Sequence, residues 1–195
     1  MPEMGAFEKQ LIQSSAWEWF ETRFVLPWAV AAAGLEEGGR LLEIGSGGGA
    51  SAERLLLRYP SLSVVATDFD ADMVGLAGER LVRFHDRVDV ALVDARALPY
   101  ADASFDFVLG VGVLHHVGGW ERALAEARRV LRVGGRLILA DLLPSFFAPP
   151  PLRRLFPPER AYSLVELRDC LSREGFKRWR LPTVLGLGYR AVVER

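Results

Sequence analysis

The sequence of 195 residues is poor in the residues that make cross-links or metal clusters. It contains one cysteine, Cys170, so it forms no disulfide within the chain and holds no zinc cluster built on thiolates. A lone cysteine is typical of a reducing compartment. Asparagine is absent and arginine supplies nearly all of the positive charge, a bias typical of a GC-rich genome or of a heat-adapted protein.

Long apolar runs and an excess of charge are also lacking. The N-terminal stretch MPEMGAFEKQ has neither the basic nor the apolar part of a signal peptide, and the apolar run FVLPWAVAAAGL is too short to cross a bilayer. The net charge is −1, and the basic stretches LRRLF and FKRWR are interpreted as solvated surface. We therefore expect a cytoplasmic protein with no membrane span and no nucleic-acid partner.

The pattern along the chain alternates between strands and helices. The length fits a single domain that buries its own core. Strands are predicted at 40–46, 63–68, 88–94, 105–113, 135–143 and 191–195, and helices at 50–60, 71–84, 119–132 and 163–175. This order predicts an α/β fold with a doubly wound, mostly parallel sheet covered by helices on both faces. Ligands of such sheets bind beyond the carboxyl ends of the strands.

The stretch LLEIGSGGGASAERLL places a cluster of glycines between the first strand and the first helix. Gly45, Gly47, Gly48 and Gly49 let a ligand approach the backbone closely, and the N–H groups of the following helix point towards it. A turn that binds nothing needs fewer glycines. The cluster therefore favours a ligand-binding loop.

Carboxylates mark the ends of the first three strands. Glu43 precedes the glycines, Asp68 ends the second strand and Asp94 ends the third. An acid in the position of Asp68 commonly accepts both ribose hydroxyls of a nucleoside, whereas Asp70 is the better helix N-cap. Asp94 can accept a hydrogen bond from an adenine amino group.

Two interpretations of the glycine loop remain open at this point. The letters GSGGGA also satisfy the dinucleotide fingerprint G-x-G-x-x-G/A, ending at Ala50. A dinucleotide loop must hold an anionic pyrophosphate, yet no lysine or arginine lies between Leu41 and Glu53. Acidic strand ends suit a cationic nucleoside better.

The same stretches resemble the class I S-adenosylmethionine-dependent methyltransferases. Motif I of that family, E/D-x-G-x-G-x-G, matches at Glu43, Gly45, Gly47 and Gly49. The stretches VVATDFDADMVGLA, VDARALPYADASFDFVLGVGVLHHV and ALAEARRVLRVGGRLILADLL resemble the motifs that follow. The resemblance is close over residues 40–143 and is strongest to the small-molecule branch that includes the quinone-biosynthesis methyltransferases.

The resemblance implies a fold, a reaction and a cofactor. The fold would be a Rossmann-like seven-stranded sheet, mostly parallel with an antiparallel last strand, in a single domain over residues 1–195. The reaction would be methyl transfer from S-adenosylmethionine to a small organic acceptor by in-line displacement, with S-adenosylhomocysteine as product. The alternatives are a protein that binds S-adenosylmethionine without catalysis and a nicotinamide-dependent oxidoreductase.

The resemblance also implies roles at the cofactor site. Glu43 would receive the amino group, Asp68 the ribose hydroxyls, and Phe69 would lie against the adenine. The adenine edge would be read by Asp94 and the Ala95 N–H. The full implied set is Glu43, Gly45, Ser46, Gly47, Gly49, Asp68, Phe69, Asp94, Ala95, Gly110 and Val111. An acidic site with no nearby arginine fits a cationic sulfonium.

A general base is needed only if the acceptor arrives protonated. His115 and His116 follow the fourth strand on the side where a base is required, and an imidazole titrates near neutral pH. The alternative is that both only shape the cofactor pocket. They are not expected to hold a metal, because neighbouring residues at a strand end rarely both point inward.

The acceptor is expected where the family resemblance is weakest. The N-terminal segment 1–36 carries Trp17, Trp19, Phe20 and Trp28, which would form either a lid over an apolar or aromatic acceptor or a helix packed on the core. The proline-rich segment 143–163 is either a substrate loop or a surface connection. In the first case Arg153 or Arg154 would meet an anionic group. The oligomeric state is open.

Overall fold

The computed structural model describes residues 19, 21–35, 38–147, 162–177, 182–184 and 187–195. Within those ranges a short π-helical turn, Glu21–Val25, leads into the first of the α-helices. The helices are α1 (Leu26–Ala33), α2 (Ala50–Arg58), α3 (Ala71–Leu81), α4 (Trp120–Val130) and α5 (Leu164–Arg173). Shorter 3-10 turns cover Val82–Phe84, Leu114–His116 and Pro144–Phe147.

The strands form one sheet in the order β3-β2-β1-β4-β5-β7-β6. They are β1 (Gly39–Ile44), β2 (Leu62–Asp68), β3 (Val88–Leu92), β4 (Phe105–Val111), β5 (Leu131–Leu142), β6 (Thr183–Val184) and β7 (Gly188–Glu194). Strands β1 to β5 pair in parallel, and β7 runs antiparallel to both β5 and β6. The predicted α/β sheet, mostly parallel with an antiparallel last strand, is confirmed. The two-residue edge strand β6 was not predicted.

Helices cover both faces of the sheet, because alternate residues of each strand point to opposite sides. Leu41, Phe107 and Ile138 pack with α1, α2 and α3 on one face. Leu42, Val108 and Leu137 pack with α4 and α5 on the other. The central strands are therefore buried on both sides, which explains their unbroken apolar runs.

The ends of the helices follow from local sequence. Ser163 and Glu166 form the predicted capping box at the start of α5, and Gly175 adopts the left-handed conformation (φ 74°) just after its end. Helix α4 ends at Val130, two residues before its predicted end. Leu131 leaves the helix because it is fully buried and pairs with Phe105, so strand pairing overrides the helical pattern.

The N-terminal aromatic residues are divided between core and surface. Trp28 on α1 packs against the core, with the guanidinium of Arg190 5.0 Å from its ring centre. Trp19 is 61% exposed and meets the edge of Phe24. Trp17, Phe20, Arg153, Arg154 and residues 148–161 of the predicted substrate loop lie outside the described residues. The single-domain boundary, the lid and the loop stay predictions.

Candidate active site

The predicted site residues lie at the point of the sheet where the strand order reverses. From β1 the chain moves outward to β2 and β3, then returns to β4 on the other side of β1. Ile44 at the end of β1 lies beside Thr67 of β2 and Gly110 of β4. This switch point is where open parallel sheets bind ligands.

The carboxylate of Asp68 holds the glycine loop. Its two oxygens accept hydrogen bonds from the backbone N–H groups of Gly47 and Asp70, each at 2.9 Å. Burial raises the pKa of the Asp68 carboxyl against the opposing effect of these hydrogen bonds. Asp70, rather than Asp68, caps α3 by accepting from Asp72 N–H, as predicted.

The turn after β4 covers the glycine loop through Val113. Gly45 has a φ of 69°, and a Cβ added there would lie 2.3 Å from Cγ2 of Val113. A Cβ on Gly110 would lie 3.2 Å from the other methyl of the same valine. The missing side chains at Gly45 and Gly110 therefore make room for Val113, which the sequence reasoning overlooked.

The loop also contains buried polar groups. The hydroxyl oxygen of Ser46 is buried and has no hydrogen-bond partner among the described residues. Glu43, which is 3% exposed, lies on the face of the sheet that carries Leu41. A polar ligand at this loop can satisfy Ser46, and an ammonium group can neutralise Glu43. This donor and acceptor set fits the aminoacyl end of S-adenosylmethionine.

The adenine side of the site departs from one expectation. Phe69 is 39% exposed at the end of β2, as a stacking residue must be. The expected absence of arginine is wrong, because the guanidinium of Arg96 contacts both oxygens of Asp94, with the shortest distance 2.7 Å. This pairing lowers the pKa of Asp94, chiefly through the Arg96 hydrogen bond. Ala95, the residue between Asp94 and Arg96 in the sequence, is buried.

His115 contacts a carboxylate that the sequence reasoning did not single out. Its Nδ1 lies 2.5 Å from Oδ1 of Asp141 on β5, and its backbone N–H donates to Oδ2 of the same residue at 3.1 Å. The two histidines lie in the 3-10 turn Leu114–His116 rather than in a strand, and their ring centres are 3.8 Å apart with the ring planes tilted by 42°. The expectation that they lie at a strand end, where neighbouring residues rarely both point inward, was therefore wrong.

Two tyrosines extend this contact into the core. The hydroxyl of Tyr162 donates to Oδ2 of Asp141 at 2.9 Å and lies 2.6 Å from the hydroxyl of Tyr189. Burial raises the pKa of both tyrosines well above the ordinary value, so both stay protonated. Burial alone would also raise the pKa of Asp141, but the charge of His115 and hydrogen bonds from His115, Leu142 and Tyr162 hold it below its usual value.

One signal in the sequence could have identified Asp141. It is an acid inside the apolar run LILADLL, at the carboxyl end of the fifth strand, as Asp68 is at the end of the second. A charged residue in a buried strand needs partners. Tyr162 and Tyr189 carry no such signal, because buried tyrosines are common in cores.

No group of three metal-binding side chains lies close together in the described parts of the chain. No helix among those residues has the length and apolar character to cross a membrane.

Residues 42–139, about half of the chain, match the family model described as a methyltransferase domain. The chain is 34% identical over 152 residues to malonyl-(acyl-carrier protein) O-methyltransferase of Geobacter sulfurreducens, covering 72% of this chain and 57% of that protein. It is 35% identical over 117 residues to demethylmenaquinone methyltransferase of Deinococcus radiodurans, covering 60% and 46%. The chain spans about half the length of these relatives.

The fold is also similar to that of a methyltransferase of known structure. The crystal structure of a SAM-dependent methyltransferase from Aquifex aeolicus superposes with a TM-score of 0.79 over 98% of both chains, at 21% identity. The chain belongs to the methyltransferase domain family.

Proposed function

We propose that the protein transfers a methyl group from S-adenosylmethionine to a small organic acceptor. The observation that carries this proposal is the hydrogen bond between Asp68 and Gly47, which joins the acid at the end of β2 to the glycine loop at the end of β1. A nucleoside ribose and an aminoacyl tail need an acid and an open backbone side by side. The named activities of the relatives are all methyl transfers.

The cofactor residues are assigned by what each can offer. Glu43 and Ser46 serve the charged aminoacyl end, Asp68 the ribose hydroxyls and Phe69 the adenine face. Asp68 already accepts two backbone hydrogen bonds, and a carboxylate has room for about four. It can therefore hold the loop and the ribose at once.

The remaining assigned residues line the same strand ends. Gly45, Gly47 and Gly49 supply open backbone, and Gly110 and Val111 end β4 beside them. Asp94 and Ala95 are assigned to the adenine edge, with Arg96 fixing the Asp94 carboxylate. Arg96 occupies part of that carboxylate, so the Ala95 N–H carries more of the adenine recognition than Asp94.

S-adenosylmethionine supplies an electrophilic methyl group on a sulfonium. The chain must orient an acceptor in line with that group and exclude water. We assign proton acceptance to His115 rather than His116, because Asp141 contacts the His115 ring. His116 packs against that ring and shapes the pocket.

The acceptor is proposed to be apolar or aromatic, and the segments 1–36 and 143–163 are proposed to enclose it. The exposed aromatic pair Trp19 and Phe24 supports this, because it places large apolar rings outside the core. The single cysteine supports a cytoplasmic location.

Calorimetry with S-adenosylmethionine, S-adenosylhomocysteine and NADH tests the cofactor assignment. We expect micromolar binding of the first two and none of NADH. Transfer of a labelled methyl group to a metabolite extract then tests catalysis. Binding without transfer would indicate a non-catalytic S-adenosylmethionine-binding protein, and binding of NADH alone would overturn the proposal.

A further inference from the structure

The hydrogen bonds around Asp141 have only one consistent direction. An ionised carboxylate only accepts, so Tyr162 gives its single proton to Asp141. Tyr189 must then donate to the Tyr162 oxygen. Protons therefore point from Tyr189 through Tyr162 towards Asp141, and from His115 Nδ1 towards Asp141 on its other oxygen.

We propose that Asp141, Tyr162 and Tyr189 position the His115 imidazole with its proton on Nδ1 and with Nε2 as the proton acceptor, and that the methyl acceptor is a hydroxyl group. This inference rests on the proposed methyl transfer. Asp141 is a positioning residue here and does not itself take the proton.

The contacts of Asp141 explain why it stays ionised. Its Oδ1 meets His115 Nδ1 and the Leu142 N–H, at 2.5 and 2.8 Å, and its Oδ2 meets the His115 N–H and the Tyr162 hydroxyl. Each of these stabilises the charged form. A carboxylate with all its acceptor positions engaged makes a poor base but a good anchor for an imidazole.

The surroundings of the His115 ring hold it in one place. The groups that titrate around it are Asp141 from β5, Tyr162 before α5, Tyr189 from β7 and His116 from its own turn. Trp120 lies against the Tyr162 ring with centres 4.7 Å apart.

The network lies beside the glycine loop. His115 is two residues beyond Val113, the side chain that covers Gly45 and Gly110. Asp141 follows Ala140, whose carbonyl accepts from the Gly112 N–H at 2.8 Å. A proton acceptor in this turn is therefore next to the backbone assigned to the cofactor's aminoacyl end.

A base is most useful for an acceptor that is a weak nucleophile until it loses its proton, which describes a hydroxyl and not a neutral amine. The acceptor oxygen forms a bond to the methyl carbon while its O–H bond breaks. The proton passes to Nε2 of His115, and the electron pair of the broken carbon–sulfur bond stays on sulfur. The Asp141 carboxylate stabilises the imidazolium that results.

Nitrogen NMR of histidine-labelled protein tests the positioning without any acceptor. The chain has three histidines, and His85→Gln and His116→Gln assign the signals. We expect wild-type His115 to carry its proton on Nδ1 and Asp141→Asn to lose that preference.

Tyrosine variants separate positioning from general packing. Tyr162→Phe should move the His115 nitrogen signals more than Tyr189→Phe, because only the Tyr162 hydroxyl donates a hydrogen bond to the Asp141 carboxylate. Tyr100→Phe is the matched control, since Tyr100 packs on the same core outside the network, and should move neither. A wild-type proton on Nε2, or equal shifts from all three variants, would overturn the positioning role.

The hydroxyl acceptor is tested with S-adenosylmethionine carrying a carbon-13 methyl group, incubated with a metabolite extract. The carbon shift of the product distinguishes a methoxyl from methyl on nitrogen, sulfur or carbon. A methoxyl supports the inference, and the other three overturn the acceptor class. Cofactor binding with no transfer would instead remove the proposed function, while the NMR result would still decide the positioning.

A pH profile completes the test once a product is found. His115→Gln should lower turnover by about 10²- to 10⁴-fold. Asp141→Asn should lower it less and shift the acid limb of the profile. An unchanged profile in both variants would show that the network is structural only.

Discussion

Asp68 at the end of β2 accepts a hydrogen bond from the Gly47 N–H at 2.9 Å, so one carboxylate both fixes the glycine loop and ends the strand beside it. We expect Asp68→Ala to weaken S-adenosylmethionine binding by about 10- to 100-fold, since hydrogen bonds to a charged group contribute roughly 1.5–3 kcal/mol. Calorimetry measures this. Asp86→Ala, an exposed acid outside the site, is the control and should bind normally.

Asp68 should also make the stability of the cofactor-free protein depend on pH. Burial raises the pKa of Asp68, so the folded chain favours its protonated form more than the unfolded chain does. The stability that this contributes is present below the ordinary value of 3.8 and is lost as the pH rises through the folded pKa. Asp68→Asn has no such titration, so the urea resistance of the cofactor-free wild type relative to this variant should fall as the pH rises from 3 to 7, while the variant binds the cofactor more weakly. A relative urea resistance that does not change with pH would contradict this.

The order of strands and helices could be predicted because each element carries its own periodicity. The boundaries could not. Leu131 continues the helical pattern of α4, yet it belongs to β5 because Phe105 pairs with it from a distant part of the sequence. Strand β6 has two residues, Thr183 and Val184, which is too short for any pattern.

The cofactor side of the site was more predictable than the catalytic side. Glu43, Gly45 and Asp68 lie directly after or within strands, so topology alone brings them together. The partners of His115 come from β5, from the residue before α5 and from β7. No spacing rule encodes these contacts. Arg96, by contrast, lies two residues from Asp94, whose Oδ1 also accepts from the Arg96 N–H, so this pair forms within a local turn.

Asp141 should give the opposite pH dependence to Asp68. Its pKa is lowered in the folded protein, so its stabilising contribution is present above the ordinary value of 3.8 and is lost as the pH falls through the folded pKa. Asp141→Asn should cost about 3 kcal/mol at pH 7, because it breaks a buried charged contact. Urea unfolding across pH 3–7 should show the difference from wild type shrinking at the acid end. A constant difference would argue against an ionised Asp141.

Helix α3 offers a change that should stabilise the protein. Gly78 lies inside the helix, and a Cβ there would meet nothing within 4 Å. Gly78→Ala should raise the free energy of unfolding by about 0.5–1 kcal/mol, since glycine costs that much in a helix interior. Thermal unfolding checks the gain, and cofactor affinity should not change.

Substituting Gly45 by alanine should destabilise the protein, because there is no room for a Cβ at this position and its backbone conformation favours glycine. Its φ of 69° disfavours any side chain, and the new Cβ would overlap Cγ2 of Val113. Gly45→Ala should therefore lower the free energy of unfolding by about 2–5 kcal/mol and weaken cofactor binding. Adding Val113→Ala removes the contact with Cγ2 but leaves the Cβ of residue 113 at 2.8 Å and leaves the backbone strain, so the double variant should recover only part of the loss. Full recovery would mean that sterics alone select glycine at this position, and no recovery would mean that Val113 is not what the missing side chain makes room for.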